Sequence, residues 1–151
     1  MRIYLVILDE TEEADSALRF AARRAARTGG QVHILAIVPQ QEFVAFGGVQ
    51  ATIEDEARSR AEVLATSAAG HLASESGVMP VISVQEGEAI KVVSDYLAAH
   101  TEVSALVLGS SAGGQPGPLV AYFSSAGIGV LPCPLYIVPG GLDEAAIDRL
   151  S

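Results

Sequence analysis

Apolar residues along this chain fall into two alternating patterns, short unbroken runs and stripes that recur every three or four positions. Ile3 to Leu8 is aliphatic apart from Tyr4 and rich in β-branched types, which predicts a strand buried on both faces, as in a parallel sheet. Thr11 follows as an N-cap, with Glu12, Glu13 and Asp15 in the first turn, where acidic groups favour the helix dipole. Ala14, Ala17, Leu18, Ala21 and Ala25 then give a narrow apolar stripe at helical spacing, and Gly29 and Gly30 end the helix. Gln31 to Val38 predicts a second buried strand. From Pro39 to Thr52 no period holds, and Phe43, Phe46, Gly47 and Gly48 predict a mobile loop that either folds over a ligand or packs its phenylalanines on the domain. Ile53 to Ser76 returns to helical spacing through Ala57, Ala61, Leu64, Ala68 and Leu72, and Gly77 closes it. Val81 to Val84 predicts a third strand, and Glu88 to His100 a third helix with Ala89, Ile90, Val93 and Leu97 inward. Val103 to Leu108 predicts a fourth strand, Leu119 to Ala126 a short fourth helix, and Leu135 to Val138 a fifth strand.

This succession is the signature of an α/β fold: a doubly wound, five-stranded, mostly parallel sheet with helices on both faces. Residues 1–141 form the expected domain, and 142–151 a C-terminal tail whose DEAAIDRL pattern can make a short covering helix. Ligands of such sheets bind beyond the carboxyl ends of the strands, at the switch in strand order. Leu8 and Asp9, Val38 and Pro39, Gly87, and Gly109 with Ser110 stand at those ends and can converge in one crevice.

Composition narrows the choice of function. With 151 residues, half of them hydrophobic, the chain is sized for one compact core. Its apolar runs fall short of a bilayer span, and the acidic DETEE after IYLVIL is wrong for a signal peptide, so the start reads as structure. A single cysteine, Cys133, suits a reducing cytoplasmic interior and reads as a packing residue. A formal charge of −9 argues against nucleic acid as a partner. Arg19, Arg23 and Arg27 line one helix face at intervals of four and read as a solvated face rather than a binding patch. His33, with no second ligand type at coordination spacing, reads as a packed or edge histidine.

Candidate chemistry gathers between Val103 and Pro139, where a buried strand leads into a glycine-rich turn, the arrangement that brings bare backbone to an anionic ligand. Known nucleotide motifs do not fit. The place of a dinucleotide GxGxxG holds DETEE, and the only lysine, Lys91, lies in a helix without the P-loop glycines. Asp9 and Glu10 resemble the acidic pair of a phosphate-accepting receiver, but no aspartate ends the third strand and no lysine ends the fifth. No catalytic triad assembles, and no general base for a slow ATPase is identifiable.

The order of elements, Asp9 after the first strand, Val38 ending the second, the LVLGS turn and the later PCPLYIVP together resemble the universal stress protein family, over nearly the whole chain. The resemblance implies an adenine nucleotide alpha hydrolase-like fold, with Asp9 and Val38 at adenine and ribose and a G-x2-G-x9-G-[S/T] motif at the phosphates. Leu8, Asp9, Val38, Gly109, Ser110, Gly113, Gly114, Ser124 and Ser125 are the implied binding residues, for ATP or another adenine nucleotide with magnesium at Asp9. The motif departs from the family after Gly109: Ala112 takes the second glycine position, and Tyr122 with Phe123 takes the final pair. Counting back from Pro-Cys-Pro gives Ala121 with Tyr122, and a third register through Gly114 reaches Ser124 and Ser125 but puts Ser111 and Ser124 where glycines belong. Pro116 and Pro118 offer no N–H, and no Lys or Arg lies between Lys91 and Arg149. Two readings follow: a regulator that binds an adenine nucleotide weakly, or a protein-interaction module of the same fold that has lost it. The resemblance also implies a homodimer paired through Leu135, Tyr136, Ile137 and Val138, as an open apolar edge invites, unless the tail shields that edge. No membrane partner is expected.

Overall fold

The computed structural model describes residues 1–9, 11–39 and 47–151, with the side chains of 47–52 outside that description. Five strands, β1 (Ile3–Leu8), β2 (Gln31–Val38), β3 (Val81–Glu86), β4 (Ala105–Ser110) and β5 (Leu135–Pro139), form one sheet in the order β3-β2-β1-β4-β5, and every pair in it is parallel. Among the described residues five helices connect or follow them: α1 (Glu12–Thr28), α2 (Gly47–Ser76), α3 (Ala89–Ala99), α4 (Pro118–Phe123) and α5 (Glu144–Leu150), with a 3₁₀ turn at Ile128–Val130. β1 is buried at all six positions because it is central and covered on both faces. Its side chains divide by alternation. Tyr4, Val6 and Leu8 enter a core shared with α1 and α2, while Ile3, Leu5 and Ile7 enter a second core shared with α3 and α4. The doubly wound architecture is therefore the observed one, with an all-parallel sheet.

Local chemistry explains the boundaries. Thr11 caps α1 by accepting the Ala14 N–H at 3.3 Å, and Gly29 ends it in the left-handed conformation at φ 65°. The Glu88 carboxylate accepts the N–H groups of Ile90 and Lys91 at 3.0 and 2.9 Å, so it is the N-cap of α3 rather than its first residue; these bonds hold its pKa below the usual carboxylate range. α4 is shorter than expected. The Ser124 and Ser125 hydroxyls fold back onto the carbonyls of Val120 and Ala121, and Gly127 opens the 3₁₀ turn in place of a further helical turn.

Two expectations are corrected. Residues 47–52 are helical, not loop: glycine's low helix propensity ends the periodic pattern at Ile53, but α2 begins at Gly47. The expected loop residues Phe43 and Phe46 lie outside the described residues. The arginine row is not a solvated face either. Arg19 donates to both Asp148 carboxylate oxygens at 2.9 and 2.8 Å, Arg23 reaches the same carboxylate at 3.2 Å, and Arg27 donates to the carbonyls of Asp148 and Ser151. The tail therefore forms the expected short helix, but docks on α1.

Among the described residues no helix is long and apolar enough to cross a membrane.

Candidate functional site

After β1 the chain runs outward to β2 and β3, then returns to the other side of β1 as β4. The strand order therefore switches between β1 and β4, and their carboxyl ends flank a gap. Leu8, almost wholly buried, and exposed Asp9 end β1 on one side of it; Gly109 stands near the end of β4 on the other. One Asp9 carboxylate oxygen, Oδ1, accepts the Thr11 N–H at 2.9 Å and the Thr11 hydroxyl, which fixes the turn from β1 into α1. Gly109 is a glycine for a packing reason, since a Cβ there would overlap the backbone carbonyl of Glu13. The first turn of α1 thus lies directly over the end of β4.

A cavity of about 200 Å³ occupies this gap, lined by Leu8, Asp9, Glu13, Gly109 and the start of α4 from Gly117 to Val120, with Ile37 and Pro39 from the end of β2. A neighbouring cavity of about 220 Å³ shares Leu8, Asp9, Ile37 and Pro39, and adds Ala57, Arg60, Ala61 and Leu64 from α2. Asp9 lies on the wall common to both. Each alone is smaller than the roughly 300 Å³ at the low end of small-molecule sites, and the two adjoin along four shared lining residues.

The structure therefore brings Leu8, Asp9 and Gly109 into one cavity. The other implied residues are placed elsewhere. Val38 is fully buried and its carbonyl accepts the Gly87 N–H at 3.1 Å; its neighbours Ile37 and Pro39 face the crevice in its stead. Ser110 ends β4, beside Gly140, whose Cβ would overlap the Ser110 carbonyl. Gly113 and Gly114 are exposed in the turn that follows, Gly114 at φ 85°, and the Ser111 hydroxyl donates to the Gly113 carbonyl at 2.8 Å. Ser124 and Ser125 spend their hydroxyl protons on α4 at 2.6 and 2.5 Å. Where the family motif would place its final glycine, the Tyr122 ring packs so closely on Gly127 that no Cβ would fit between them.

The electrostatics are lopsided. Asp9 lines both cavities and Glu13 the one on the β4 side, where no Lys or Arg is among the described lining residues, while Arg60 lines the one on the α2 side. Arg60 lines that cavity without having been singled out from the sequence. It shares helical spacing with Ala57, Ala61 and Leu64 but is itself exposed. Arg58, off that stripe, reaches Glu86 at the end of β3 at 3.8 Å. Among the described residues no three His, Cys, Asp or Glu side chains gather to hold a metal. Asp9 could supply one oxygen ligand to a magnesium ion whose other ligands came from a bound phosphate and water.

Elsewhere the titratable groups are structural. His33 is buried and hydrogen-bonded through Nδ1 to the Tyr96 hydroxyl at 3.2 Å, and burial pushes its pKa down. The Tyr96 ring stacks on His100 at 3.9 Å. Burial pushes the Cys133 thiol up, away from nucleophilic use, in keeping with its packing against the second core.

Comparison with known proteins agrees with this architecture. The model of the universal stress protein family matches residues 1–139. No curated protein sequence shows significant similarity. Among solved structures the chain is similar to the universal stress protein UspA from Lactobacillus plantarum, with TM-score 0.76 and 20% identity over 91% of this chain and 97% of that one. It is similar to an Arabidopsis thaliana universal stress protein with AMP bound, at TM-score 0.61 and 13% identity, covering 92% of both chains. An Archaeoglobus fulgidus universal stress protein in complex with dAMP matches at TM-score 0.52 and 17% identity, over 92% of this chain and 96% of that one.

Proposed function

The chain belongs to the universal stress protein family, and from that premise we propose that it is a cytoplasmic, ligand-responsive regulatory domain that binds an adenine nucleotide weakly at the carboxyl edge of its sheet. The observation that carries this reading is the meeting of Leu8, Asp9 and Gly109 on one cavity at the switch point. Solved relatives hold AMP and dAMP, which makes an adenine nucleotide the first ligand to test. Apolar walls from Ile37, Pro39 and Leu119 suit a flat base, and the exposed Asp9 carboxylate can accept hydrogen bonds from a ribose. Binding is weak because the turn after β4 contributes no cation, its helix begins at a proline without an N–H, and the Ser124 and Ser125 hydroxyl protons are spent. Magnesium would accompany ATP through Asp9. The protein acts as a homodimer in this reading, paired through the outer edge of β5, where Ile137 is exposed.

Titration calorimetry with AMP, and with ATP plus magnesium, tests the ligand. Saturable heat and thermal stabilisation are expected; neither at millimolar nucleotide would overturn it. That result would favour the second reading, an interaction module of the same fold, which the back-bonded serines and the Tyr122–Gly127 contact support.

A further inference from the structure

We propose, resting on the adenine-nucleotide reading above, that Glu13 makes the crevice a charge filter, setting it to take adenosine before AMP and AMP before ATP. Glu13 is the second residue of α1 and is half-buried. Gly109 packs so closely beneath it that a Cβ on the glycine would overlap the Glu13 carbonyl and lie 3.0 Å from the Glu13 Cβ. The glutamate side chain therefore leaves α1 directly over the end of β4, and Glu13 lines the cavity at the switch point together with Asp9. Asp9 is engaged there in holding the turn into α1, since its Oδ1 accepts the Thr11 N–H and hydroxyl. Glu13 differs: among the described residues no hydrogen bond or ion pair engages its carboxylate.

A phosphate brought out of water needs cations or N–H donors to replace its hydration. The cavity over Gly109 has no Lys or Arg among its described lining residues, Pro118 at the start of α4 has no N–H, and the Ser124 and Ser125 hydroxyls donate back to α4 carbonyls. Each added negative charge on the ligand therefore gains little attraction. It also meets Glu13, because the chain enters the glycine-rich turn from Ser110, the residue after Gly109. Repulsion of this kind is screened less in a half-buried cavity than on open surface. An uncharged base and ribose escape it: Ile37, Pro39 and Leu119 supply apolar walls, and ribose hydroxyls can donate to a carboxylate. Glu13 thus acts as a repulsive element that sets specificity by ligand charge. The formal charge of −9 adds a field of the same sign, but one spread over the molecule and screened beyond about 10 Å in ordinary salt. Glu12 separates the two effects, since it carries the same charge one position earlier, is exposed and does not line the cavity.

The test measures binding of adenosine, AMP and ATP to the full chain by calorimetry in EDTA, where no divalent metal offsets the phosphate charge, in the wild type, Glu13→Gln and Glu12→Gln. Glutamine keeps the length and helix propensity of glutamate, so both variants should melt within a few degrees of wild type. In the wild type, affinity should fall from adenosine to AMP to ATP, and added salt should narrow the gap. Glu13→Gln should tighten AMP about threefold and ATP about tenfold while moving adenosine less than about twofold, and Glu12→Gln should move all three less than about twofold. ATP binding the wild type more tightly than adenosine would overturn the filter while leaving adenine binding intact. So would a Glu13→Gln variant that leaves AMP and ATP unchanged, or a Glu12→Gln variant that matches it. Binding of none of the three ligands to any of the proteins would overturn the adenine-nucleotide reading and this proposal with it.

Discussion

Gly109 serves packing before it can serve any ligand. Because a Cβ there would overlap the Glu13 carbonyl, Gly109→Ala must push α1 off β4, at a cost of about 1–3 kcal/mol visible in urea denaturation with no ligand present. An unchanged midpoint would mean the glycine is there only for backbone access. His33 makes the second prediction at this scale. Its folded pKa is depressed by burial, so the unfolded chain binds the proton more readily. Its contribution is fully present above the unfolded value of about 6.5 and is lost as pH falls from there toward the folded value. Replacing His33 with Gln should flatten the decline of stability below about pH 6.5, followed by thermal melts across pH; an identical pH profile would contradict it. Asp9 and Gly109 were legible as site residues because each follows a strand whose apolar run announces it. That Arg60 lines the neighbouring cavity was not legible, because its place depends on how α2, distant in sequence from the glycine-rich stretch, lies across the sheet.

At the scale of elements, strands β1 and β2 were legible to the residue, since their unbroken aliphatic runs are bounded by capping and turn residues. The tail was not. Its pattern predicted a helix, but only the tertiary structure pairs Asp148 with Arg19 and Arg23 of α1. The hydrogen bond from Arg19 holds the Asp148 carboxyl below its ordinary range. With a depressed folded pKa, that contribution is present above the unfolded value and lost as pH falls through the folded one. Acidification below about pH 4 should therefore loosen α5 before the sheet. Hydrogen exchange resolved by residue should show amides of 144–150 opening first, and Arg19→Ala should open them at neutral pH; uniform protection in both cases would contradict the docking. β5 remains at the sheet edge while α5 occupies α1. Ile137→Lys, placing a charge on that exposed edge position, should turn a dimer into a monomer in light scattering with little change in thermal stability of the fold. A wild type that is already monomeric at tens of micromolar would refute the paired edge.

At the scale of the whole molecule, the fold places a crevice by topology alone: a chain that winds outward through β2 and β3 and returns as β4 must leave a gap at the carboxyl end of β1. What the fold does not dictate is the chemistry of the lining, and here Asp9 lines both sides, joined by Glu13 on the β4 side and by Arg60 on the α2 side. The most direct test is an amide NMR titration of the isotope-labelled chain with AMP. The account predicts saturable shifts concentrated at Leu8, Asp9, Gly109 and the α2 turn around Arg60. No shifts at millimolar AMP, or shifts confined to the opposite end of the sheet around Gly30 and Pro80, would contradict it.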